Sequence, residues 1–227
     1  MSVLDVLFPP RCAACGALVA NPTPLCETCL PTLLDAPEPA CPRCAESVNA
    51  PGEACAKCRR EPPPFTRVHV AFGFEGAMAE AIPRFKYQDR PFLAAPLVAL
   101  AWPRLEGALA GIDAIAPIPL HLSRLRERGF DQALLLAEEL AKRSKLALAS
   151  ELLVRTRSTL HQVGANRDAR AENLQGAFAV ASGAAVPKRV ALIDDVVTTT
   201  ATARDAARAL RSAGAEEIRV LALARAI

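Results

Sequence analysis

The sequence predicts an α/β protein in which a mostly parallel, helix-covered sheet follows a small cysteine-rich domain. Two observations support this class. All eight cysteines lie between residues 12 and 58, whereas residues 65–227 contain none. That second part alternates apolar, strand-like segments with amphipathic, helix-like ones, which is typical of parallel strands joined by crossover helices. We place the domains at residues 1–62 and 65–227, with the proline-rich segment Arg59–Pro64 at their junction.

Bulk composition narrows the class of protein. Hydrophobic residues make up 52% of the 227-residue chain, which is enough for a buried core and argues against disorder. The net charge of +3 is too small to indicate a partner. No apolar run approaches the roughly 18 residues of a membrane span, and the opening MSVLDVLFPPRC lacks the basic region of a signal peptide. We therefore expect a cytoplasmic protein without membrane contact, whose cysteines stay reduced.

The cysteines form two copies of one pattern, and the second copy follows the first by 29 positions. Two C-x2-C turns in each copy supply the four thiolates of a structural zinc site. The expected ligands are Cys12, Cys15, Cys26 and Cys29 in the first copy, and Cys41, Cys44, Cys55 and Cys58 in the second. We expect two zinc ions and favour one site per copy over interleaved pairs. The alternative is a disulfide framework, which the missing signal peptide disfavours.

Zinc ribbons often bind nucleic acids, but the charge of this domain argues against that role. Residues 1–64 carry a formal charge of −2, and residues 65–227 carry +5. Each zinc site with four thiolate ligands adds about −2 more, since four thiolates outweigh one Zn²⁺. Because a surface that follows phosphates must be positive, direct nucleic-acid binding by the ribbon is not expected. We interpret it as a structural or protein-docking module.

Each element of the second part is predicted from its apolar pattern. Short apolar runs indicate strands at residues 68–74, 114–119, 152–155, 189–194 and 217–224. Helical spacing of apolar residues indicates helices at 76–86, 92–109, 130–143 and 201–212. Pro83, Pro96 and Pro103 are expected to kink or interrupt the first two helices, and Gly214 to stop the last. A polar loop is expected at 157–173.

The strand at 189–194 runs into two carboxylates, Asp194 and Asp195, and then into three consecutive threonines. Because ligands of parallel sheets bind beyond the carboxyl ends of the strands, we expect both carboxylates to be exposed at a crevice. Paired carboxylates suit a vicinal diol, and a threonine turn before a helix suits a phosphate. Together they favour a ribose phosphate. The alternatives are a turn that merely begins with aspartates, and a Walker B strand, for which the chain has no G-x4-G-K-[ST] partner.

The segment VALIDDVVTTTATA (190–203) resembles the phosphoribosyl pyrophosphate (PRPP) signature of type I phosphoribosyltransferases. The whole order is similar to the competence protein F family, in which a double zinc ribbon precedes such a domain. Supporting segments are FKYQDR (85–90), PIPLHLSRLRERGFDQA (117–133) and RTRSTLHQVGANRDARAENLQGAF (155–178). The resemblance covers essentially the full chain. It implies a type I phosphoribosyltransferase fold, PRPP bound with magnesium, and a link to the uptake of transforming DNA.

The resemblance also implies roles for particular residues. Asp194 and Asp195 correspond to the residues that hold the ribose hydroxyls, directly or through magnesium. The 5-phosphate loop corresponds to Val196, Val197, Thr198, Thr199, Thr200, Ala201 and Thr202. Arg124 and Arg128 correspond to the border of the pyrophosphate, and Thr159, Gln162 and Arg170 to a mobile loop that closes over the site.

Two positions depart from the family pattern, and the roles of three other residues have two interpretations each. Thr200 replaces a usual glycine, and a β-branched residue restricts the backbone angles that glycine permits there. His161 stands where the family more often has proline. Lys86 and Tyr87 either line an acceptor site or pack on the surface, and His121 either contacts a ligand or caps a loop.

The sequence therefore predicts a cytoplasmic, zinc-containing, PRPP-binding protein that transfers a phosphoribosyl group to an unknown nitrogen acceptor. No dedicated nucleophile is required, since magnesium and arginines position the substrate and neutralise the leaving pyrophosphate. The alternative is a non-catalytic adaptor that senses PRPP and docks a DNA-uptake partner through its ribbon.

Overall fold

The computed structural model describes residues 9–19, 23–156 and 176–226 of the chain. Its centre is a five-stranded, fully parallel sheet with the order β1-β7-β6-β2-β3. The strands are β1 (Arg67–Gly73), β2 (Ala114–Pro117), β3 (Ala147–Leu148), β6 (Arg189–Val197) and β7 (Glu217–Arg225). A separate antiparallel pair consists of β4 (Leu153–Arg155) and β5 (Phe178–Val180). The predicted α/β class with a parallel sheet is confirmed.

Six α-helices lie in the described part of the chain, and four match the sequence prediction. They are α1 (Ala56–Arg60), α2 (Gly76–Tyr87), α3 (Ala94–Leu105), α4 (Leu122–Arg128), α5 (Gln132–Ser144) and α6 (Ala201–Ser212). Pro83 and Pro103 lie inside α2 and α3, and Pro96 falls in the first turn of α3, where a missing N–H leaves no hydrogen bond unmade. The prediction missed α1, α4, β3 and β5, which are too short to show a clear apolar period.

Both faces of the sheet are covered, which explains the continuous apolar runs of its central strands. On one face Ala191 and Ile193 of β6 pack with apolar residues of α2, α3 and α5. On the other, Val190 and Leu192 pack with α6 and with the β4–β5 pair. Strand β6 therefore crosses the middle of the molecule.

The two zinc ribbons pack on opposite faces of this sheet. Cys12 and Leu25 of the first ribbon belong to the apolar cluster of α2, α3 and α5. Cys41 and Cys58 of the second ribbon belong to the cluster of α6. The two parts of the chain thus share their apolar cores. The expected junction Arg59–Pro64 begins within α1, which ends at Arg60, so its first two residues are helical.

One helical stretch, Pro91–Leu109, has the length and composition of a membrane span, with 19 residues and a mean hydropathy of 1.2. The expectation that no apolar run approaches this length is therefore wrong for this stretch. Leu97, Val98 and Ala101 on its inner face are buried in the apolar cluster beneath the sheet. A core helix of a globular domain meets the same criteria.

Candidate active site at the carboxyl end of β6

The candidate site lies where the strand order of the sheet reverses. Strands β2 and β6 are adjacent and parallel. From β2 the chain continues through α5 on one face to β3, and from β6 it continues through α6 on the opposite face to β7. The two connections diverge and leave a crevice beyond the ends of β2 and β6. Such a switch point is where open parallel sheets bind their ligands.

The two carboxylates at the end of β6 have different surroundings. Asp195 is only 2% exposed, which corrects the expectation that both carboxylates are exposed. Its carboxylate forms an ion pair with Lys86 Nζ at the end of α2. It also accepts a hydrogen bond of 3.3 Å from Gln132 Nε2 in the first turn of α5. Asp195 is thereby fixed by two helices that are far apart in sequence.

Asp194 is more exposed than Asp195, although its carboxyl group is still enclosed by neighbouring residues, and its Oδ1 accepts a 2.8 Å hydrogen bond from the backbone N–H of Asp195. Burial of the carboxyl group and the negative charge of Asp195 together raise the pKa of Asp194 to about 8, although the charge of Lys86 opposes both effects. A positive ligand beside Asp194 would relieve this repulsion. Asp194 is therefore the member of the pair that can meet a ligand or a cation.

A chain of polar contacts extends from Asp195 to the segment after β2. Gln132 Oε1 accepts a 2.8 Å hydrogen bond from Arg128 Nη1 at the end of α4. Arg128 also donates to the Tyr87 hydroxyl over 2.9 Å, and its guanidinium lies over the Tyr87 ring. The structure thus brings Arg128 into the same network as Asp195. Tyr87 itself is 61% exposed, so it belongs to the rim of the crevice.

Other residues after β2 have mainly local roles. Arg124 pairs with Glu127 one turn further along the exposed helix α4, at 2.6 Å. His121 caps α4, because its Nδ1 accepts from the backbone N–H of Ser123 over 3.2 Å. Asp131 caps α5 and accepts a 2.9 Å hydrogen bond from the backbone N–H of Leu120. Asp131 therefore fixes the position of the segment on which Arg124 and Arg128 lie.

The threonine turn follows directly from the strand. Val196 and Val197 are the last residues of β6, Thr198 is exposed and Thr199 is partly exposed. Thr200 is the N-cap of α6 and has a φ of 61°, in the left-handed region that glycine favours. The replacement of glycine therefore leaves the turn with a backbone suited to glycine. Ala201 and Thr202 begin α6, whose first N–H groups have no partner within the helix.

Two further charged residues belong to the site and were missed from the sequence. The buried carboxylate of Asp205 in α6 accepts hydrogen bonds from the backbone N–H groups of Gly176, Ala177 and Phe178, at 2.9, 2.8 and 3.2 Å. Burial lowers the pKa of Arg155, whereas the charges of Asp194 and Asp205 raise it. Arg155 is thus a cation that interacts with Asp194 and Asp205. The predicted loop residues Thr159, Gln162 and Arg170, and also His161, lie outside the described residues.

The cysteines form two separate clusters, one in each ribbon. Within each cluster, all four sulfur atoms lie within 4.8 Å of one another. The members are Cys12, Cys15, Cys26 and Cys29 in the first ribbon, and Cys41, Cys44, Cys55 and Cys58 in the second. Sequential pairing is therefore what the structure shows, and four cysteine sulfurs are the donor set of a structural zinc site.

Hydrogen bonding prepares the first thiol of each cluster for a metal. Burial alone would raise the pKa of Cys12, but backbone N–H groups of Cys15, Cys26 and Ala14 lower it to about 6. The equivalent Cys41 has the same balance, with N–H groups of Cys44, Cys55 and Arg43, and its pKa is also about 6. Because zinc binds the thiolate, this lowering favours metal binding at Cys12 and Cys41, whereas burial raises the pKa of Cys29, Cys44 and Cys58.

Comparison with known proteins agrees with this arrangement. Residues 3–65 match the family model of the double zinc ribbon domain. The chain is 30% identical to competence protein F of Haemophilus influenzae over 224 residues. The matched region covers 95% of this chain and 97% of that protein. The chain belongs to the competence protein F family.

More distant similarities extend this family assignment. The DNA utilization proteins YhgH of Escherichia coli K12 and of Salmonella typhimurium are each 29% identical over 195 residues, which is 82% of this chain and 84% of theirs. Glutamine PRPP amidotransferase from B. subtilis, complexed with ADP and GMP, is similar over 66% of this chain and 28% of that one. The TM-score is 0.38 and the identity 17%, a likeness too distant to indicate function. The competence protein F pattern therefore extends over nearly the whole chain.

Proposed function

We propose that this protein binds PRPP together with Mg²⁺ in the crevice between β2 and β6 and transfers its phosphoribosyl group to a nitrogen acceptor. One observation supports this most strongly. An acid pair, a left-handed threonine turn and the N-terminus of α6 follow one another at the switch point of a parallel sheet. These are the groups that a sugar bearing both hydroxyls and a phosphate requires.

The division of the acid pair suggests how the ribose is held. Asp194 is the more exposed of the two and accepts hydrogen bonds from the ribose hydroxyls. Asp195 stays in its ion pair with Lys86 and orients the end of β6. The N–H groups at the start of α6 and the hydroxyls of Thr198 and Thr199 surround the 5-phosphate.

Magnesium fits the same place. A carboxylate oxygen is a ligand that Mg²⁺ prefers, and Asp194 offers one beside a second negative charge. The pKa of Asp194 is raised first by burial and second by the negative charge of Asp195, and a bound cation would oppose both effects. When bound, the ion would supply charge neutralisation for the pyrophosphate.

The proposed reaction needs the acceptor and PRPP to be held in position, and it needs no covalent intermediate with the protein. The lone pair of an acceptor nitrogen forms the new bond to the anomeric carbon as the bond to the pyrophosphate oxygen breaks. Arg128, held by Gln132 and Tyr87, is placed to attract the departing anion. Thr159, Gln162 and Arg170 are proposed to close over it, as the resemblance implies, and closure would exclude water.

The relatives indicate the setting. Their printed names are competence protein F and DNA utilization protein, and we propose that this chain acts in the uptake or use of DNA. A reducing cytoplasm suits the free thiolates that bind zinc. Thr200, a β-branched residue at the left-handed position where the family pattern has glycine, favours a second candidate function, in which PRPP binding controls a non-catalytic adaptor that docks a DNA-uptake protein.

Calorimetry separates these possibilities from one another and from no function at this site. We expect saturable heat with PRPP and Mg²⁺, and little with ribose 5-phosphate alone. Acceptor-dependent pyrophosphate release would establish the transferase. Binding without release, over a panel of nitrogen bases and amines, would establish the adaptor. No heat with PRPP would contradict both.

A further inference from the structure

The second zinc ribbon contacts the threonine turn directly. Lys57 of α1, which lies between Cys55 at the N-cap and Cys58 within the helix, donates from Nζ to the backbone carbonyl of Thr199 over 3.2 Å. The carbonyl belongs to the proposed phosphate loop. A residue of the ribbon therefore fixes the backbone of the turn that precedes α6.

Arg204 makes a second and deeper connection between the ribbon and the turn. It is only 4% exposed, although it carries a charge. Its Nε lies 3.3 Å from Thr200 Oγ1, and its Nη2 lies 3.7 Å from Cys58 Sγ and 3.0 Å from the backbone carbonyl of Glu61. One planar guanidinium thus touches the N-cap of α6 and a zinc ligand at the same time.

Thr200 needs such support because its backbone is unfavourable for its side chain. It has a φ of 61° and a ψ of 4°, and β-branched residues rarely adopt this region. Its hydroxyl oxygen accepts the hydrogen bond from Arg204. Where the family pattern has glycine, this chain has a strained threonine together with an arginine that holds it.

The first ribbon offers an internal control. Its cysteine cluster repeats the same spacing, but it packs in the apolar cluster of α2, α3 and α5 on the opposite face of the sheet. The second ribbon packs with α6. Equivalent cysteines of the two ribbons therefore differ in whether their metal site reaches the turn.

We propose that Arg204 is a positioning residue that couples the zinc site of Cys41, Cys44, Cys55 and Cys58 to the shape of the phosphate loop. The guanidinium keeps Thr200 left-handed only while Cys58 and Glu61 hold it from the other side. Loss of the second zinc releases Arg204 and lets the turn relax, whereas loss of the first does not. The consequence for PRPP rests on the proposed function, but the coupling itself does not.

A measurement without ligand tests the coupling. The ¹³Cα chemical shift of Thr200 reports its left-handed backbone, so it should move in Cys55→Ser and in Arg204→Met. It should stay at the wild-type value in Cys26→Ser, the equivalent position 29 residues earlier. Arg211→Met in the same helix is a second control, since Arg211 contacts Pro64 and Glu216 and not the turn. An unchanged shift in Arg204→Met, or equal shifts in the two cysteine variants, would overturn the proposal.

A rescue experiment tests the role of Arg204 in ligand binding. Arg204→Met should lower the affinity for PRPP about tenfold, as measured by calorimetry, which corresponds to about 1.4 kcal/mol. In a Thr200→Gly background the same change should alter affinity less than twofold, because glycine adopts the left-handed region unaided. An equal loss in both backgrounds would mean that Arg204 acts in another way. If wild-type protein binds no PRPP, the proposed function fails, and the chemical shift of Thr200 decides the coupling by itself.

Zinc retention gives the reciprocal readout. Coupling between two sites acts in both directions, so PRPP should raise the affinity of one of the two zinc ions by fivefold or more, measured by equilibrium competition with a chromophoric chelator. Arg204→Met should abolish this gain in affinity without affecting the other ion. PRPP that binds and leaves both zinc affinities unchanged would contradict the coupling while preserving the proposed function.

Discussion

The buried carboxylate of Asp195 is paired with Lys86, a residue of α2 that lies 109 positions earlier in the chain. Its neighbour Asp194 has no such ion pair among the described contacts and remains partly exposed. The adjacent acids are therefore not equivalent. One fixes the end of β6 to a helix, and the other faces the crevice. This asymmetry leads to different expectations for the two residues.

We predict that both Asp194→Asn and Asp195→Asn abolish PRPP binding but affect folding differently. Asp195→Asn leaves Lys86 without its partner and should lower the free energy of unfolding by about 2 to 3 kcal/mol. Asp194→Asn should not destabilise the fold. Denaturant unfolding measures both effects. The matched control is Asp195→Asn with Lys86→Met, which should recover part of the loss, and failure to recover any would contradict the role of the ion pair.

We predict a pH-dependent gain of stability in Asp194→Asn. The pKa of Asp194 is raised to about 8, so the folded state binds this proton more tightly than the unfolded state does. The stabilisation that comes from this bound proton is complete below pH 3.8, the ordinary pKa of an aspartate, and it is lost as the pH rises through about 8. Asparagine does not ionise and avoids this loss.

Thermal unfolding between pH 4 and pH 9 checks this expectation. The advantage of Asp194→Asn over wild type should be small near pH 4, grow with pH and level off above about 8. Asp113→Asn is the control: Arg189 lowers the pKa of Asp113, so the contribution of Asp113 to stability is lost only as the pH falls below about 4, and the difference between this variant and wild type should stay nearly constant over the range. A stability difference between Asp194→Asn and wild type that does not depend on pH would show that the pKa of Asp194 is not raised.

We predict about two zinc ions per purified chain, and the loss of one in either Cys12→Ser or Cys41→Ser. Each cysteine lies in an apolar cluster shared with the sheet domain, so both variants should also lower the unfolding temperature of the whole chain. Metal analysis and calorimetric unfolding test the two parts. Freshly reduced protein without zinc would contradict the assignment, and an unchanged unfolding temperature would contradict the shared packing.

We predict that Asp205→Ala lowers the free energy of unfolding by about 3 kcal/mol, because three backbone N–H groups, two of them buried, lose a charged acceptor. Asp205→Asn retains one acceptor oxygen and should cost about half as much. Glu216→Ala, at an exposed ion pair with Lys188, should change stability by less than about 0.5 kcal/mol. Equal effects of Asp205→Ala and Glu216→Ala would contradict the anchoring role.

The elements around the site were predictable because each has a clear pattern of its own. Strand β6 begins at Arg189 as predicted and contains the apolar run 190–193, and α6 has the predicted bounds of 201 and 212, between a threonine turn and Gly214. The paired cysteines predicted both metal clusters, since their spacing alone places two turns around a metal. Local sequence contained all of this information.

The partners of the acid pair were not predictable in the same way. Lys86 and Gln132 reach Asp195 only through helix packing, and the sequence, which left Lys86 open between an acceptor site and the surface, indicated no contact with the acid pair. Asp205 likewise contacts the backbone of residues 176–178 only through the packing of α6. The exposure expected for Asp195 was wrong for the same reason. Thr200 adopts a backbone that its residue type disfavours, because Arg204 and the ribbon outweigh local propensity there. Tertiary contacts decide such features.

The central claim is that PRPP binds at the acid pair and the threonine turn, and titration calorimetry of the zinc-loaded chain with PRPP and Mg²⁺ tests it most directly. The account predicts saturable binding of one PRPP per chain, which disappears in Asp194→Asn although that variant is folded and retains both zinc ions. Binding of equal affinity in Asp194→Asn, or no heat with the wild-type protein, would contradict it.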